Sequence, residues 1–384
     1  MDDNPPFFGY GAQSIISNQV NPSTGFEVIP GAFFTPLPPI NPSEFKLNPS
    51  STAALQSWSD HMTTPYVEEW NFTIEKQLPW RIAWDTSYVG STGVHLWNVT
   101  QRNQPLTNGP GSPTTRRPLA AYTVASVNKT SPWGMSDYGG LSTKLEKYFE
   151  SGVSFLAAFT YGREIDYQDN GGTSCVVASG CGGGGDTVQN NYDLAAQRGP
   201  GDNDVQARFS LGGEWALPFG QGRAYLGTGW ASAVAGGWAL AAIYQDSTGV
   251  PFTPILSFDN ANAGTTSRPN RVCNGNLSHS QAKPSHWFDT SCFVVPPQYQ
   301  FGNSGRNVLY GPGVNTLDLG LHRDFSTSIA SKPVILQIRL EAFNSLNHPQ
   351  FQQPGSAVRT PSFGVVTATS LNNRMLQLAA RISF

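Results

Sequence analysis

Charge is what this chain has least of. Its 23 Lys and Arg and 26 Asp and Glu make up 13% of 384 residues, about half the ~25% of an ordinary soluble domain. Helical bundles and coiled coils carry charged flanks, so the scarcity argues against both. The formal net charge of -3 offers no basic field, and no nucleic-acid partner is expected. Long apolar runs are missing as well. Phe155–Phe159 and Trp238–Ile243 are among the longest, whereas a membrane-crossing helix needs roughly 20 apolar residues. The opening Met1-Asp-Asp-Asn-Pro-Pro has neither the basic start nor the apolar core of a secretory leader. An exported form would therefore have its true N-terminus elsewhere.

Catalytic constellations are absent too. The six histidines, His61, His95, His279, His286, His322 and His348, are scattered. None lies in a His-Glu-x-x-His or beside a Gly-x-Ser-x-Gly elbow. Gly220-Gln-Gly222 lacks the third glycine of a dinucleotide fingerprint and reads as a turn. Gly182–Gly185 reads as a loop rather than a phosphate cradle, and Asp202 and Asp204 read as solvated loop carboxylates rather than a calcium site. No enzyme activity, cofactor or metal is expected. Cysteine is scarce, and its four copies fall as two local pairs, Cys175/Cys181 and Cys273/Cys292. There is no Cys-x-x-Cys and no histidine at zinc spacing. Four cysteines allow three connectivities. Local disulfides in an oxidising compartment are the simplest reading, with free thiols as the alternative.

What the chain does have is alternation. Glycine (40) and proline (29) are plentiful but stay below the ~25–30% that marks disorder, and aromatics reach 12%. Apolar and polar residues alternate with period two over 66–78, 82–90, 138–149, 153–162, 205–217, 236–247, 314–325, 333–344 and 373–384. Strands of about 9–13 residues exceed the usual ~5–6 and suit membrane-crossing barrel strands. The connections alternate in length: short at 79–81, 150–152, 218–235 and 326–332, long at 91–137, 163–204, 248–313 and 345–372. In an antiparallel meander all long connections then fall on one side, as in barrels with short periplasmic turns and long outer loops. Both cysteine pairs lie on the loop side.

Aromatics also sort by height. Trp80, Phe149, Trp215, Phe325 and Phe384 lie at the short-turn ends, and Tyr66, Tyr88, Tyr161 and Tyr244 at the long-loop ends. Two belts around an aliphatic band are what a bilayer requires. Soluble sandwiches and propellers alternate too, but with shorter strands and less one-sided loops. The expected fold is all-β: an antiparallel up-and-down meander of about nine long strands, an open partial outer-membrane β-barrel with long one-sided loops. Residues 1–65 form a long N-terminal outer-loop segment and 66–384 the barrel portion. Glu75, Asp85, Glu146, Glu214, Asp318, Arg339, Glu341 and Arg381 are expected to face the lumen, with Arg339 and Glu341 pairing across strands. Trp97, Trp133 and Trp287 are assigned to loops.

Specific runs carry a family resemblance. They include Thr64-Pro-Tyr-Val-Glu-Glu-Trp-Asn-Phe-Thr-Ile-Glu-Lys-Gln-Leu78, Tyr88-Val-Gly-Ser-Thr-Gly-Val-His-Leu96 and Leu145-Glu-Lys-Tyr-Phe149. Others are Tyr192-Asp-Leu-Ala-Ala-Gln-Arg-Gly199, Asp204-Val-Gln-Ala-Arg-Phe209 and Leu217-Pro-Phe-Gly220. Phe301-Gly-Asn-Ser-Gly-Arg-Asn307 and Glu341-Ala-Phe-Asn-Ser-Leu-Asn-His-Pro-Gln-Phe351 complete the set. Together they resemble the Oar-like TonB-dependent receptors of acidobacteria and relatives. The closing Leu376-Gln-Leu-Ala-Ala-Arg-Ile-Ser-Phe384 is similar to the C-terminal assembly signal of such barrels, with Leu376, Leu378, Ile382 and Phe384 as its apolar positions.

The resemblance implies an outer-membrane location and energised movement of a bulky ligand. It also implies contact with outer-membrane lipid and with the barrel-assembly machinery through the last strand. Full members resemble 22-stranded barrels preceded by a plug and a TonB-contact segment, neither visible here. The nine strands match the last nine, so contact with the TonB complex would run through a part outside this chain. The alternative is a non-transporting surface protein whose long loops serve adhesion or glycan binding. No motif encodes a substrate.

Overall fold

A computed structural model describes residues 54–120, 126–167, 188–329 and 332–384. Among them, nine strands make one antiparallel meander: β1 Tyr66–Leu78, β2 Ile82–Gln101, β3 Ser126–Glu150, β4 Val153–Asp166, β5 Ala207–Ala216, β6 Trp238–Ser247, β7 Val314–Ile329, β8 Lys332–Phe343 and β9 Met375–Ser383. Every strand pairs with its sequence neighbours. The sheet is open among the described residues, with β1 at one edge and β9 at the other. A short strand, Ala54–Trp58, runs parallel to the start of β3, with Ala54 opposite Ser126 and Trp58 opposite Thr130. Residues 1–53, Cys175, Cys181 and Gly182–Gly185 lie outside the described residues.

The tight turns follow from backbone chemistry. Ser151 and Gly152 both take positive φ, 56° and 82°, as a two-residue hairpin with right-handed strand twist demands. At the first turn Trp80 and Arg81 do the same, at 59° and 55°. Connection 217–237 is longer than a turn and includes α1, Gly229–Ala235.

Register fixes two faces. Trp70 and Gly90 are paired, as are Phe72 with Tyr88 and Tyr88 with Leu141. The row continues through Tyr161, and further rows of the same parity hold Leu211, Tyr244 and Leu317, then Leu321, Leu340 and Leu378. The opposite parity is mostly polar, from Glu75 opposite Asp85 to Gln337 opposite Arg381, with Val67, Val89, Leu156, Ile243, Ile335 and Phe343 interspersed. Trp70 lies over Gly90, and a Cβ at Gly90 would collide with its indole. The ring covers the glycine's missing side chain on that face.

Two strands run further than the alternation shows. β2 has 20 residues and β3 has 25, lengths of roughly 65 and 80 Å at ~3.3 Å per residue. Roughly 9–11 residues cross a bilayer, so both strands rise well past it. The added stretches, 91–101 and 126–137, are rich in Gly, Ser, Asn and Thr and carry no period of two. They pair with register shifts at Gly93/Leu96 and Leu96/Asn98, and Asn98, Thr100 and Ser131 are buried. Trp97 and Trp133 therefore sit on strands, not in loops.

The hydrophobic core is not in the sheet. Phe252, Leu256, Phe288, Cys292, Phe293, Leu309 and Val358 form one buried cluster in the long connections, with Phe258, Trp287, Val295, Val308 and Phe363 packed on it. The sheet's apolar face is bare: Phe72, Leu376, Leu378 and Ile382 are all more than 60% exposed. Apart from Ala239, every buried apolar residue among those described lies in a connection.

Candidate functional site

The long connections fold into a cap over the loop end of the sheet. Aromatic stacking builds its core: Phe288 lies 5.7 Å from Phe252, 5.8 Å from Phe293 and 5.1 Å from Phe363, centroid to centroid. Offset and edge-on aromatic pairs of this kind add ~0.5–1.5 kcal/mol each beyond area burial. The disulfide Cys273–Cys292, with Cα atoms 4.9 Å apart, closes one side, and Cys292 is part of the core. Asp289 lies beside the two sulfurs, which are consumed by the disulfide. Its carboxylate instead accepts from the Ser291 hydroxyl (2.6 Å) and amide (3.0 Å), and these bonds hold its pKa below the usual carboxylate range.

A buried polar network ties the cap together. Arg306, 1% exposed, is ion-paired to Asp166 and lies 3.5 Å from Asp202. It also donates to the carbonyls of Gln197 (3.1 Å), Asp166 (3.3 Å) and Gly199 (3.4 Å). Burial pulls its pKa down to about 10, partly offset by the Glu164 carboxylate, and it stays charged at neutral pH. Asn307 donates to Asp202 at 2.6 Å and Pro200 O at 2.9 Å. Asp204 accepts from the Glu164 amide (2.8 Å) and the Tyr310 hydroxyl (2.9 Å). Burial first, and the Asp204 charge second, raise the Tyr310 phenol above its ordinary range. Arg268 donates to Gln197 at 2.7 Å, and its amide to Gln189 at 2.6 Å. Asp202 and Asp204 are thus internal acceptors, not solvated carboxylates. The sequence signal that misleads is local: acids between glycines are usually wet, and the Arg306 and Tyr310 side chains that engage Asp202 and Asp204 lie about a hundred residues on.

Between the tops of β2 and β3 and this cap is a cleft of about 790 Å³. Val99, Gln101, Asn128, Asn191, Phe258 and Asp259 are among its walls. Much of its polar lining is engaged internally. Asn191 joins Gln101 N and Gln104 Oε1 at 2.7 and 3.0 Å, and Asp259 accepts from Gly264 N at 2.7 Å. The half-buried Phe258 ring in the cleft wall lies under the Arg359 guanidinium at 5.0 Å.

The residues expected to face the lumen all fall on the polar sheet face, where they pair locally. Lys144 lies 2.9 Å from Asp85 and 3.9 Å from Glu146, and Glu75 is opposite Asp85. Glu214 lies 4.0 Å from His322. Asp318 accepts from the Asn344 amide at 2.7 Å and so anchors the turn after β8. Arg339 and Glu341 meet along their own strand, at 3.9 Å, not across strands. Residues two apart share a face, and their cross-strand partners are His322 and Ala379 for Arg339, and Gly320 and Gln377 for Glu341. Arg381 faces Gln337. Leu376, Leu378 and Ile382 lie on the apolar face, and Phe384 is 97% exposed. Trp287, the one tryptophan of the three in a loop, donates to Tyr310 O at 2.9 Å.

An amphipathic meander with a bare apolar face and a folded cap on one side defines a membrane β-barrel sheet. Residues 1–377 match the family described as outer membrane beta barrel domain, and the chain belongs to that family. It is a protein of the cell outer membrane. Among solved structures it is similar to the outer membrane transporter YddB from Escherichia coli, at 13% identity and a TM-score of 0.44, over 85% of this chain and 34% of that one. It is also similar to the FrpB iron transporter from Neisseria meningitidis (F3-3 variant), at 10% identity and a TM-score of 0.38, over 85% and 32%. The chain spans about a third of the length of these proteins. No curated protein matches it.

Proposed function

We propose that this chain is the C-terminal barrel portion of an Oar-like TonB-dependent outer-membrane receptor that moves a bulky ligand across the outer membrane. The observation that carries the reading is the open nine-stranded sheet, whose two edge strands, β1 and β9, each have one edge with no strand beside it among the described residues. In hydrocarbon the unpaired backbone groups of an open edge cost several kcal/mol apiece, so β1 and β9 pair with further strands of a larger barrel. Its polar face then lines a lumen that holds a plug, and the last strand addresses the barrel-assembly machinery. TonB contact runs through a part outside residues 1–384. The cap, with its own core and cleft, is the first surface a ligand meets. That same rigid cap supports a second reading, a surface protein that binds without transporting.

The test compares residues 1–384 alone with the longest polypeptide its gene encodes, each directed to the outer membrane. The longer form should run as a heat-modifiable, protease-resistant barrel, and residues 1–384 alone should not. A closed barrel from 1–384 overturns the reading. In-cell formaldehyde cross-linking of the longer form should give a TonB adduct, whose absence favours the surface protein.

A further inference from the structure

The connection 217–237 is unlike the other short-side turns, and its position is defined by the apolar face. Trp238 Nε1 donates to Val234 O at 2.9 Å, and Arg323 Nη1 donates to Ala233 O and Val234 O at 2.7 and 2.9 Å. Trp238 and Arg323 are register partners, and Ile338 is the next residue in their row. That row has the parity of Leu240, Leu321 and Leu340. The last turn of α1 is therefore held by side chains of the apolar face, which places the helix beside that face at its short-turn end. A guanidinium on the final carbonyls also suits the negative end of a helix.

The helix reads Gly-Trp-Ala-Ser-Ala-Val-Ala, without a charge. Trp230 and Val234, four residues apart and so on one side, are 82% and 64% exposed, and Tyr225 and Leu226 before them are exposed as well. Water is a poor solvent for that surface, whereas the headgroup region of a bilayer is where Trp and Tyr rings settle.

Charge on the same face is segregated by height. Near the short turns, the apolar-face parity carries Lys76, Lys147, Arg323 and Lys332, and one acid, Glu150, opposite Val153 across a bulge and ion-paired to Arg81 at 3.3 Å. Near the loops it carries Glu68, Asp137 and Asp246, with Arg163. The cations are spread along the sheet from the first strand to the eighth, at about the height of α1. Such a row complements phosphate headgroups.

We propose that 217–237 is an interfacial anchor. Helix α1 lies in the headgroup region of the periplasmic leaflet, with Trp230 and Val234 in the lipid. Lys76, Lys147, Arg323 and Lys332 form a girdle that prefers anionic phospholipid. This rests on the barrel reading above, with the short turns on the periplasmic side.

The experiment places an environment-sensitive fluorescent amino acid at position 211, 221 or 230 of the full-length protein. The protein is reconstituted in vesicles of phosphatidylethanolamine and phosphatidylglycerol, and chain-brominated lipid is compared with aqueous iodide as quencher. Lipid should quench 230 and 211, and iodide should quench 221. Quenching of 230 by iodide as strong as at 221 overturns the proposal. Shielding of 230 from both quenchers also overturns it, because a protein then covers the helix. Iodide quenching at 211 would instead sink the barrel reading. In the same vesicles, spin-labelled phosphatidylglycerol should be enriched over phosphatidylcholine at the protein boundary. Lys76→Gln and Lys332→Gln should each lower that enrichment, by up to about fivefold per cation. Unchanged enrichment in both variants removes the girdle.

Discussion

Replacing Arg306 tests whether the polar network or the aromatic core holds the cap. On a surface, an ion pair is worth ~0–1 kcal/mol, and its loss would pass unnoticed. Arg306 and Asp166 are 1% and 4% exposed, so burial decides the magnitude. Arg306→Met leaves the Asp166 carboxylate uncompensated and takes a donor from the carbonyls of Gln197, Asp166 and Gly199. Breaking one side of a buried pair costs about 3–5 kcal/mol. At 1.4 kcal/mol per tenfold, local opening should rise between about a hundredfold and a few thousandfold. Hydrogen exchange at the amides of Gly201, Arg268 and Asn307 reads this, with amides of β5 as the reference. Arg306→Lys keeps the charge but not the planar fork, and should fall between wild type and Arg306→Met. Asp166→Asn with Arg306→Met should lose less than the two singles added, because no unpaired charge remains. Arg306 has its pKa lowered in the fold, so the penalty of burying its charge is constant below about pH 10 and lifts only above it. Protection that depends on Arg306 should therefore not change between pH 6 and 8.5 through its own titration. A rise below tenfold in the Met variant, or an equal rise across β5, would refute the reasoning.

Leu211→Arg and Ile338→Arg, on the apolar face, should each cost about 2–4 kcal/mol where they meet the bilayer midplane. Ser210→Arg, one residue away on the polar face, should cost much less, and urea unfolding of the reconstituted protein compares them. Cys273→Ser should lower the stability of the cap by about 3 kcal/mol, given a separation of 19 residues and the chain-entropy estimate. Non-reducing peptide mapping should recover Cys273 linked to Cys292, and a free Cys273 would contradict the structure. Gly302→Ala should destabilise the cap by ~1–3 kcal/mol or more, since a Cβ there meets the carbonyl oxygens of Arg268 and Pro269. Raised exchange at the Ser304 amide is the readout.

Alternation revealed the sheet because a period of two is written into neighbouring residues. β1 runs Tyr66–Leu78 and β4 starts at Val153, where the pattern begins in each case. The pattern stops where its physical cause stops. Above the bilayer no continuous apolar face is needed, so the upper halves of β2 and β3 lose the alternation and read as loop. The cap is invisible to periodicity for a different reason. Its core is made of isolated aromatics such as Phe252, Phe288 and Phe293, and its network joins Arg306 to Asp166 across 140 residues of sequence. Such contacts exist only after the sheet has fixed the ends of the connections. The runs that carry the family resemblance around Gln197, Asp204, Arg306 and Asn307 turn out to supply that network, and the run around Asn344 anchors the turn after β8. They were legible as a signature but not as chemistry.

Alternation alone also leaves open which face is wet, since a sandwich would bury the face that a barrel shows to lipid. In this chain the connections decide it. They hold a complete core of their own, with aromatic stacking, a disulfide and a buried arginine, and they do not cover the sheet's apolar face. Hydrophobic side chains are therefore spent in two separate places. In the cap they are withdrawn from water by packing on one another. On the sheet, Phe72, Leu376, Leu378 and Ile382 are left uncovered, and only an apolar solvent makes that arrangement stable. A protein that builds a core in its loops and leaves its strands bare is organised around two solvents, with the boundary near the tops of the strands.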